Sequence, residues 1–282
     1  MRLKGWSLGF TVIGLALVVF ALVWLLAIFP GMVKLPSDYN KLVKFEGTYL
    51  VLNADTQEMD EMPVLVEREQ LAAGVQDDVL TINETVCCTH ALAGIELEQF
   101  GACGELGVDR STRAFVSGYG DMERSGQFCF PSDVEKTSYD MWISSAGRPL
   151  TAAFTGEEEF HGLNVFTFAI SEQGLDIGTQ EGTGIPQVMD VAINLKVEPV
   201  SGATVYTESN STYSLVISSD SQVPYYISSI AFTEETIDEL SDYADSNRSL
   251  ILWLSFYGFW MAIVVGAALA ITGLVLATRN RQ

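Results

Sequence analysis

Four cysteines carry the most reactive side chains of this sequence, and all of them lie in the middle of the chain: Cys87, Cys88, Cys103 and Cys129. In an oxidising compartment they would form up to two disulfides, with three connectivities open. A vicinal Cys87–Cys88 bond would close a strained ring, so we expect each of these two to pair with Cys103 or Cys129. A metal site with His90 is a less favoured alternative, because Cys-Cys-Thr-His departs from the spacing of zinc knuckles. Free thiols are the third alternative.

Short runs of carboxylates offer oxygen ligands of the kind that a hard cation such as calcium prefers. Three consecutive glutamates occupy residues 157–159, Asp77 precedes Asp78, and further acids lie within residues 55–60. Such runs are more typical of a charged hairpin surface than of an ion site. We therefore predict neither a metal site nor a cofactor.

The sequence lacks the motifs of common enzyme classes. It contains no Gly-x-Ser-x-Gly elbow, no Walker loop and no His-Glu-x-x-His. His161 falls in a predicted turn, where solvent exposure accounts for it, and Asp109–Arg110 is interpreted as a structural charge pair at a strand end. We expect no catalytic residue in this chain.

Two asparagines match the pattern for glycosylation in an external domain, Asn83 in Asn-Glu-Thr and Asn210 in Asn-Ser-Thr. A third match at Asn247 lies close to a predicted membrane span. We expect the first two to be the candidate glycosylation sites, in an organism that has the machinery.

Two long apolar runs must anchor the part of the chain that holds these groups. Residues 8–29 and residues 250–278 contain no charged side chain. A bilayer core of about 30 Å takes roughly 20 helical residues to cross, and backbone groups in lipid must be satisfied within the segment. Both runs are therefore predicted to be transmembrane helices. A cleaved signal peptide is the alternative for the first run, but it is long and lacks a small-x-small cleavage site.

Basic residues at the two ends predict the orientation of both spans: Arg2, Lys4, Arg279 and Arg281. The positive-inside rule places the short tails, residues 1–7 and 279–282, in the cytoplasm. Lys34, Lys41 and Lys44 follow the first span and argue weakly for the reverse. The middle of the chain would then lie outside the cell, in the cell envelope.

The segment between the spans is strongly acidic. Residues 35–246 hold nine Lys and Arg against all 36 Asp and Glu, a net charge of −27. A surface of this charge disfavours nucleic acid and an anionic membrane surface as partners. Its length suits one domain with a sizeable core.

Residues 30–232 are predicted to form this β-rich external domain. Period-two alternation runs through residues 193–198, and a turn at Pro199–Gly202 leads to a partner strand. A second hairpin turns at His161–Gly162, a two-residue link that ends in glycine. The density of such signals predicts an antiparallel sheet, a sandwich or an open barrel.

Helical signals begin at residue 233 and predict a stalk over residues 233–249. Thr233 provides a cap, two glutamates follow it, and Ile237, Leu240 and Ala244 recur at helical spacing. We expect this apolar stripe to be covered by the strand domain or by the segment after the first span. A stiff mount is favoured over a signalling lever.

Small residues at four-residue spacing predict close helix packing within the membrane. In the second span they are Ala262, Gly266, Ala270 and Gly273, and near the first span they are Gly5 and Gly9. The two spans would pack on each other or on copies of themselves.

Several stretches of the chain resemble those of a known family, over nearly its whole length and including the two spans. They are residues 108–116, Phe130–Pro131, residues 134–136 with Tyr139 and Trp142, residues 147–150, residues 154–158, and residues 197–199 with Gly202. The chain resembles the porin PorA family, also described as a domain of unknown function in actinobacteria and archaea. The resemblance implies no individual site residue. Outer-membrane barrels have no helical spans, so the helices argue against a barrel in the bilayer.

Three functional hypotheses follow. The favoured one is a non-enzymatic envelope protein that binds other envelope proteins, or itself, through its external domain. The second is binding or transport of lipid or another apolar ligand through a cavity, by architectural analogy with the scavenger-receptor class that handles lipids. The third is a hydrolase with an unrecognised site. Besides the lipid bilayer, the sequence names no partner.

Overall fold

The computed structural model describes residues 5–180, 182–218 and 221–279 of the chain. It divides into two units, one formed by residues 35–245 and the other by the two ends of the chain. Arg2, Lys4 and Arg281, on which the predicted orientation partly rests, lie outside the described residues.

Residues 35–245 contain a single antiparallel sheet of eleven strands, which confirms the predicted antiparallel sheet and is not a sandwich of two sheets. The sheet is not closed by strand pairing. The strands are β1 Asn40–Leu52, β2 Met59–Gln76, β3 Val79–His90, β4 Ala102–Asp109, β5 Phe115–Gly120, β6 Tyr139–Ile143, β7 Arg148–Phe160, β8 Leu163–Thr179, β9 Pro186–Glu198, β10 Ala203–Ser218 and β11 Ser221–Phe232.

The sheet is built from two consecutive meanders. Strands β1 to β5 follow one another in space, as do β6 to β11, and the two sets join where β1 pairs with β11. The register of this junction places Phe45 opposite Phe232 and Tyr49 opposite Ser228. Every neighbouring pair of strands is antiparallel, so short hairpin connections suffice within each meander.

A three-residue segment, Gly126–Phe128, lies between the two outermost strands of the sheet; we call it the seam segment. On one side the Phe128 amide donates to the Arg113 carbonyl at 2.9 Å. On the other side the Trp142 amide donates to the Gln127 carbonyl at 3.0 Å. This segment forms backbone hydrogen bonds on both sides. Backbone groups at both outer edges are therefore paired, whereas in an open sheet they would be exposed to water.

The hairpins predicted at His161–Gly162 and at Pro199–Gly202 are confirmed, since they connect β7 to β8 and β9 to β10. His161 adopts a left-handed φ of 46° and Gly162 one of 77°. Two left-handed residues in succession match the twist of a tight β-hairpin.

Apolar side chains from both meanders form the core. One cluster centres on Phe130, Phe168 and Met189, each at most 1% exposed. A second joins Phe45 and Phe232 at the β1–β11 junction. The predicted alternation is thereby confirmed, because alternate residues of a strand enter the core.

Helix α3, Glu234–Leu252, follows β11 directly, at the start predicted for the stalk. The Thr236 amide donates to the Thr233 hydroxyl at 3.3 Å, so the expected cap forms. Ile237 packs in the β1–β11 cluster, and Ala244 packs with Leu163, Val165 and Val205. The first turns of the stalk thus pack against the strand domain, which is one of the two arrangements predicted for its apolar stripe.

The terminal unit consists of two helical runs that are long and apolar enough to cross a membrane, Trp6–Met32 and Glu234–Arg279. The first comprises α1 Trp6–Val23, a π-helical turn Trp24–Ile28 and α2 Phe29–Met32. In the second, α3 is followed by a π-helical turn Trp253–Tyr257 and by α4 Gly258–Arg279. The apolar stretches agree with the spans predicted from the sequence.

Helices α1 and α4 pack closely through small residues. A Cβ added to Gly266 would lie 2.8 Å from the Gly14 carbonyl oxygen, and one added to Gly273 would lie 2.6 Å from the Thr11 amide nitrogen. Gly266 and Gly273 therefore contact the first helix, and so does Ala270, whose amide nitrogen would lie 2.5 Å from a Cβ added to Gly14. Ala262 is half-buried.

The predicted pair Gly5 and Gly9 does not contact the second helix, and its packing on copies of the chain stays a prediction. A Cβ on Gly5 or Gly9 would meet no described atom within 4 Å. The residues that meet the second helix are Ser7, Thr11 and Gly14, which also follow three- and four-residue spacing. The candidates predicted in the first helix were glycines, whereas a hydroxyl residue such as Thr11 can also line a close contact, its own hydroxyl donating to the Ser7 carbonyl at 2.9 Å.

Candidate binding groove

A groove of about 300 Å³ opens on the surface of strands β7 to β10. Polar side chains dominate its lining, and we call it the polar groove. Its residues are Thr155, Glu158, Thr167, Phe168, Asn194, Leu195, Lys196, Tyr206 and Glu208. They come from four neighbouring strands, so strand register alone brings them together.

Lys196 occupies a fixed position at one end of the polar groove. Its ammonium lies 2.7 Å from a Glu158 carboxylate oxygen. The same ammonium lies 3.9 Å above the centroid of the Phe160 ring and 5.0 Å from that of Tyr206. A cation held by a carboxylate and by aromatic faces loses little further freedom when a ligand binds.

The rest of the groove offers hydrogen-bonding groups of both kinds. Glu208 accepts from the Asn194 amide at 3.5 Å and from the Asn210 amide at 3.2 Å, while Thr155 donates to Thr167 at 2.9 Å. Carboxylates, amides, hydroxyls and an ammonium suit a partner rich in hydroxyl or other polar groups. An acyl chain offers no hydrogen-bonding group and would remove water from the charged side chains of the groove.

The glutamates at residues 157–159, predicted to form a charged hairpin surface, lie at the end of β7. Glu157 pairs with Lys136 at 2.6 Å, and Glu158 pairs with Lys196. Two of the three carboxylates are thus engaged with lysines from neighbouring segments.

Three of the stretches that carry the family resemblance, residues 108–116, Phe130–Pro131 and residues 197–199 with Gly202, meet near one half-buried guanidinium. Arg113 donates through Nη1 to the Phe130 carbonyl at 2.6 Å and to the Ser201 carbonyl at 3.0 Å. Its Nη2 donates to the Ser132 hydroxyl at 2.7 Å. Three separate segments of the chain are therefore joined by one side chain, which we call the Arg113 hub.

The β9–β10 turn beside the Arg113 hub is fixed by a buried carboxylate. Glu198 is 1% exposed and accepts from the Ser201 amide at 2.7 Å, from the Ser201 hydroxyl at 2.6 Å and from the Val200 amide at 3.1 Å. Gly202 has a φ of 74°, and a Cβ there would lie 2.7 Å from the Phe130 carbonyl oxygen. The contacts that Glu198, Gly202 and Arg113 make within the fold thus explain why these residue types occur at these positions.

A second, smaller pocket of about 60 Å³ includes Arg68, Gln70 and Glu84 among its lining residues. The buried Gln70 amide donates to Glu84 at 2.6 Å, and the Tyr39 hydroxyl donates to Gln70 at 3.3 Å. Burial raises the pKa of Tyr39 well above its usual value. This network satisfies its own polar groups and leaves room for a few waters at most.

The four cysteines are free thiols in the structure, so the predicted disulfides are not formed in it. Successive residues of β3 point to opposite faces, so Cys88 enters the core whereas Cys87 shares a face with Cys103. Those two are only diagonal neighbours, because Cys103 lies opposite Thr85. Diagonal pairs are roughly 7–8 Å apart, beyond the reach of a disulfide without backbone movement.

The remaining two thiols are shielded from water. Burial raises the pKa of Cys88, and burial likewise raises the pKa of Cys129. Both thiols are thereby held in the protonated, poorly nucleophilic form.

The two glycosylation candidates lie within strands. Asn83 is exposed on β3, whereas the Asn210 side chain of β10 donates to Glu208 and accepts from the Ser229 hydroxyl at 2.6 Å. An attached glycan at Asn210 would displace these two hydrogen bonds, which makes Asn83 the more accessible of the two. Their use stays a prediction.

One histidine that the sequence analysis assigned to solvent faces two carboxylates. His161 Nδ1 lies 3.1 Å from an Asp238 oxygen, and Nε2 lies 3.8 Å from a Glu234 oxygen. The three side chains come from the β7–β8 turn and from α3. One ligand atom from each lies within 4.8 Å of the other two, a spacing compatible with a shared metal ion.

Comparison with known proteins gives one family. The Porin PorA family matches residues 6–275, nearly the whole chain, including the Arg113 hub and both helical runs. No curated protein matches the sequence. The chain therefore belongs to the Porin PorA family.

Proposed function

We propose that this protein is a non-enzymatic, membrane-anchored component of the cell envelope, whose strand domain binds a polar partner through the polar groove. Helices α1 and α4 cross the membrane, both tails lie in the cytoplasm, and residues 35–245 lie outside the cell.

The length and composition of the two helical runs support the anchoring. Each run contains a long stretch without a charged side chain, residues 8–29 and residues 250–278, and this composition suits a bilayer core rather than a solvated helix. The charge distribution supports the orientation, because the basic residues at the ends favour the cytoplasm.

The polar groove is the observation that carries the binding role. Its volume of about 300 Å³ is at the lower limit of ligand pockets, so it suits one or two monosaccharide units or a short polar peptide segment. The Tyr206 ring provides a flat apolar face beside the hydroxyls and carboxylates. That combination favours a glycan of the cell envelope as the partner, since sugars present both apolar C–H faces and hydroxyls.

The same observations weigh against the apolar-ligand hypothesis. The smaller pocket is about 60 Å³ and lies beside Arg68 and Glu84, so an acyl chain does not fit there. The polar groove is wide enough but lined with charge. Neither of these two cavities therefore favours an apolar ligand.

The test uses the full chain in detergent micelles and a panel of soluble neutral and acidic oligosaccharides, with a fluorescent fatty acid as the apolar probe. Binding is followed by saturation-transfer NMR and by fluorescence. We expect an oligosaccharide to bind, and Glu208→Gln combined with Asn194→Ala to weaken it more than about tenfold, the loss expected from two hydrogen bonds to charged or amide groups.

Glu61→Gln, an exposed carboxylate on β2, is the matched control and should leave binding unchanged. Binding of the fatty acid alone would refute the proposal and restore the apolar-ligand hypothesis. Oligosaccharide binding that survives in the groove variant would place the site elsewhere.

A further inference from the structure

We propose that His161, Glu234 and Asp238 form a binding site for a divalent transition-metal ion of the zinc class. This site is separate from the polar groove, and its existence is independent of the proposed function.

The geometry places three ligand groups around one point. One nitrogen of His161 and one oxygen from each carboxylate lie within 4.8 Å of one another. An ion bound at about 2.0–2.2 Å from each ligand atom requires separations of roughly 3–4 Å between them. The distance of 3.1 Å from His161 Nδ1 to Asp238 already meets this value. Glu234 lies 3.8 Å from the other nitrogen, Nε2, so its exposed side chain must rotate to bring an oxygen to the same ion.

The two elements that carry the ligands suit a metal site. Glu234 and Asp238 are four residues apart on α3, so both carboxylates project from the same face of the helix. His161 approaches that face from the tight β7–β8 turn. The two elements are held together by apolar contacts, because Phe160 and Leu240 belong to the same cluster as Leu163 and Ala244.

The surroundings of the imidazole also support the assignment. Each of its nitrogens lies near a carboxylate oxygen, and its ring lies 4.6 Å from the Phe160 ring, which limits its rotation.

The donor set determines the class of ion. One imidazole and two carboxylates favour zinc, cobalt, nickel or manganese over calcium, which takes oxygen ligands almost exclusively. Two carboxylates and a neutral imidazole balance the double positive charge of the ion. Three protein ligands leave at least one position for water, since zinc is four-coordinate in most sites.

Metal binding would tie the first turn of α3 to the β7–β8 turn. The ion would bind the folded arrangement only, because the ligands are far apart in the sequence, so it would raise the stability of the stalk attachment. An external metal ion would thus stiffen the connection between the strand domain and the helix that follows it.

The test measures Zn²⁺ and Co²⁺ binding to the full chain in detergent, purified with chelator and then desalted. We expect one equivalent per chain by calorimetry, a rise in the thermal transition with zinc, and a cobalt absorption spectrum without thiolate charge transfer. His161→Gln and Asp238→Asn should each weaken binding more than about tenfold, because removal of even outer-sphere partners has effects of 10- to 100-fold.

Glu239→Gln, an exposed carboxylate on the same helix, is the matched control and should bind as the unaltered chain does. Circular dichroism of each variant without metal checks that it is folded; should His161→Gln not fold, Asp238→Asn decides. The proposal would be overturned by a thiolate charge-transfer band, by variants that bind metal as tightly as the unaltered chain, or by an unaltered chain that shows no saturable binding.

Discussion

Replacement of Arg113 by alanine should strongly destabilise the strand domain. Its guanidinium makes three hydrogen bonds, to the carbonyls of Phe130 and Ser201 and to the Ser132 hydroxyl. A hydrogen bond to a charged group contributes about 1.5–3 kcal/mol. Because the three share one donor group and water can enter part of the space, the effects do not add, and we expect a loss of about 3–5 kcal/mol.

The conservative variant sharpens this prediction. Arg113→Lys keeps the charge but loses the planar fork, so one ammonium cannot reach all three acceptors and a loss of about 2 kcal/mol is expected. Arg148→Ala is the control, since this exposed arginine bonds only the Asp176 carbonyl among described partners. It should lose less than about 1 kcal/mol.

The assay is urea-dependent proteolysis of the full chain in detergent, which reports cleavage of the strand domain as it unfolds. A midpoint for Arg113→Ala that matches that of Arg148→Ala would refute the hub as a source of stability. The family stretches would then need another explanation, such as direct contact with a partner.

Three further outcomes are expected. Gly266→Leu should separate the two terminal helices, because a Cβ added there would lie 2.8 Å from the Gly14 carbonyl oxygen. The stability measured by thermal denaturation in detergent should be lower by about 1–3 kcal/mol than that of the control Ala268→Leu, on an exposed face. The hydrogen bond from Arg124 lowers the pKa of Asp121, so its contribution is present above the unfolded value of 3.8 and is lost as pH falls through the folded value; Asp121→Asn should flatten that part of the acid-denaturation curve. Protease added to intact cells without their wall should cut the strand domain and spare both tails, and a cleaved tail would refute the proposed orientation.

Strand positions were largely predictable because alternation of apolar residues is a local property of the chain. The exceptions have local reasons. Strand β4 contains two glycines and a cysteine within Ala102–Asp109, which obscure its pattern, and β11 contains Pro224. The β1–β11 junction could not be predicted at all, because nothing in either strand specifies a partner so far along the chain.

The candidate sites depend on which elements lie side by side and on the register of the paired strands, and this is why the sequence did not indicate them. The polar groove combines side chains from four strands, whose register shifts at bulges such as that between Phe154 and Gly156. Strands β8 to β11 lie between His161 and Glu234 in the chain, so only the packing of α3 brings the two residues together. The cysteines illustrate the converse, since an expected oxidising compartment suggested disulfides, whereas strand register makes Cys87 and Cys103 only diagonal neighbours.

The β1–β11 junction also has a consequence for synthesis of the protein. Translation delivers β1 soon after the first apolar run, but its neighbour β11 is among the last strands to be made. During that interval β1 presents an unpaired edge, which is a template for aggregation. A nascent chain halted before Ser221 would leave one edge of β1 and one edge of β10 unpaired, so chaperones or rapid translation through the second meander would determine the yield of folded protein.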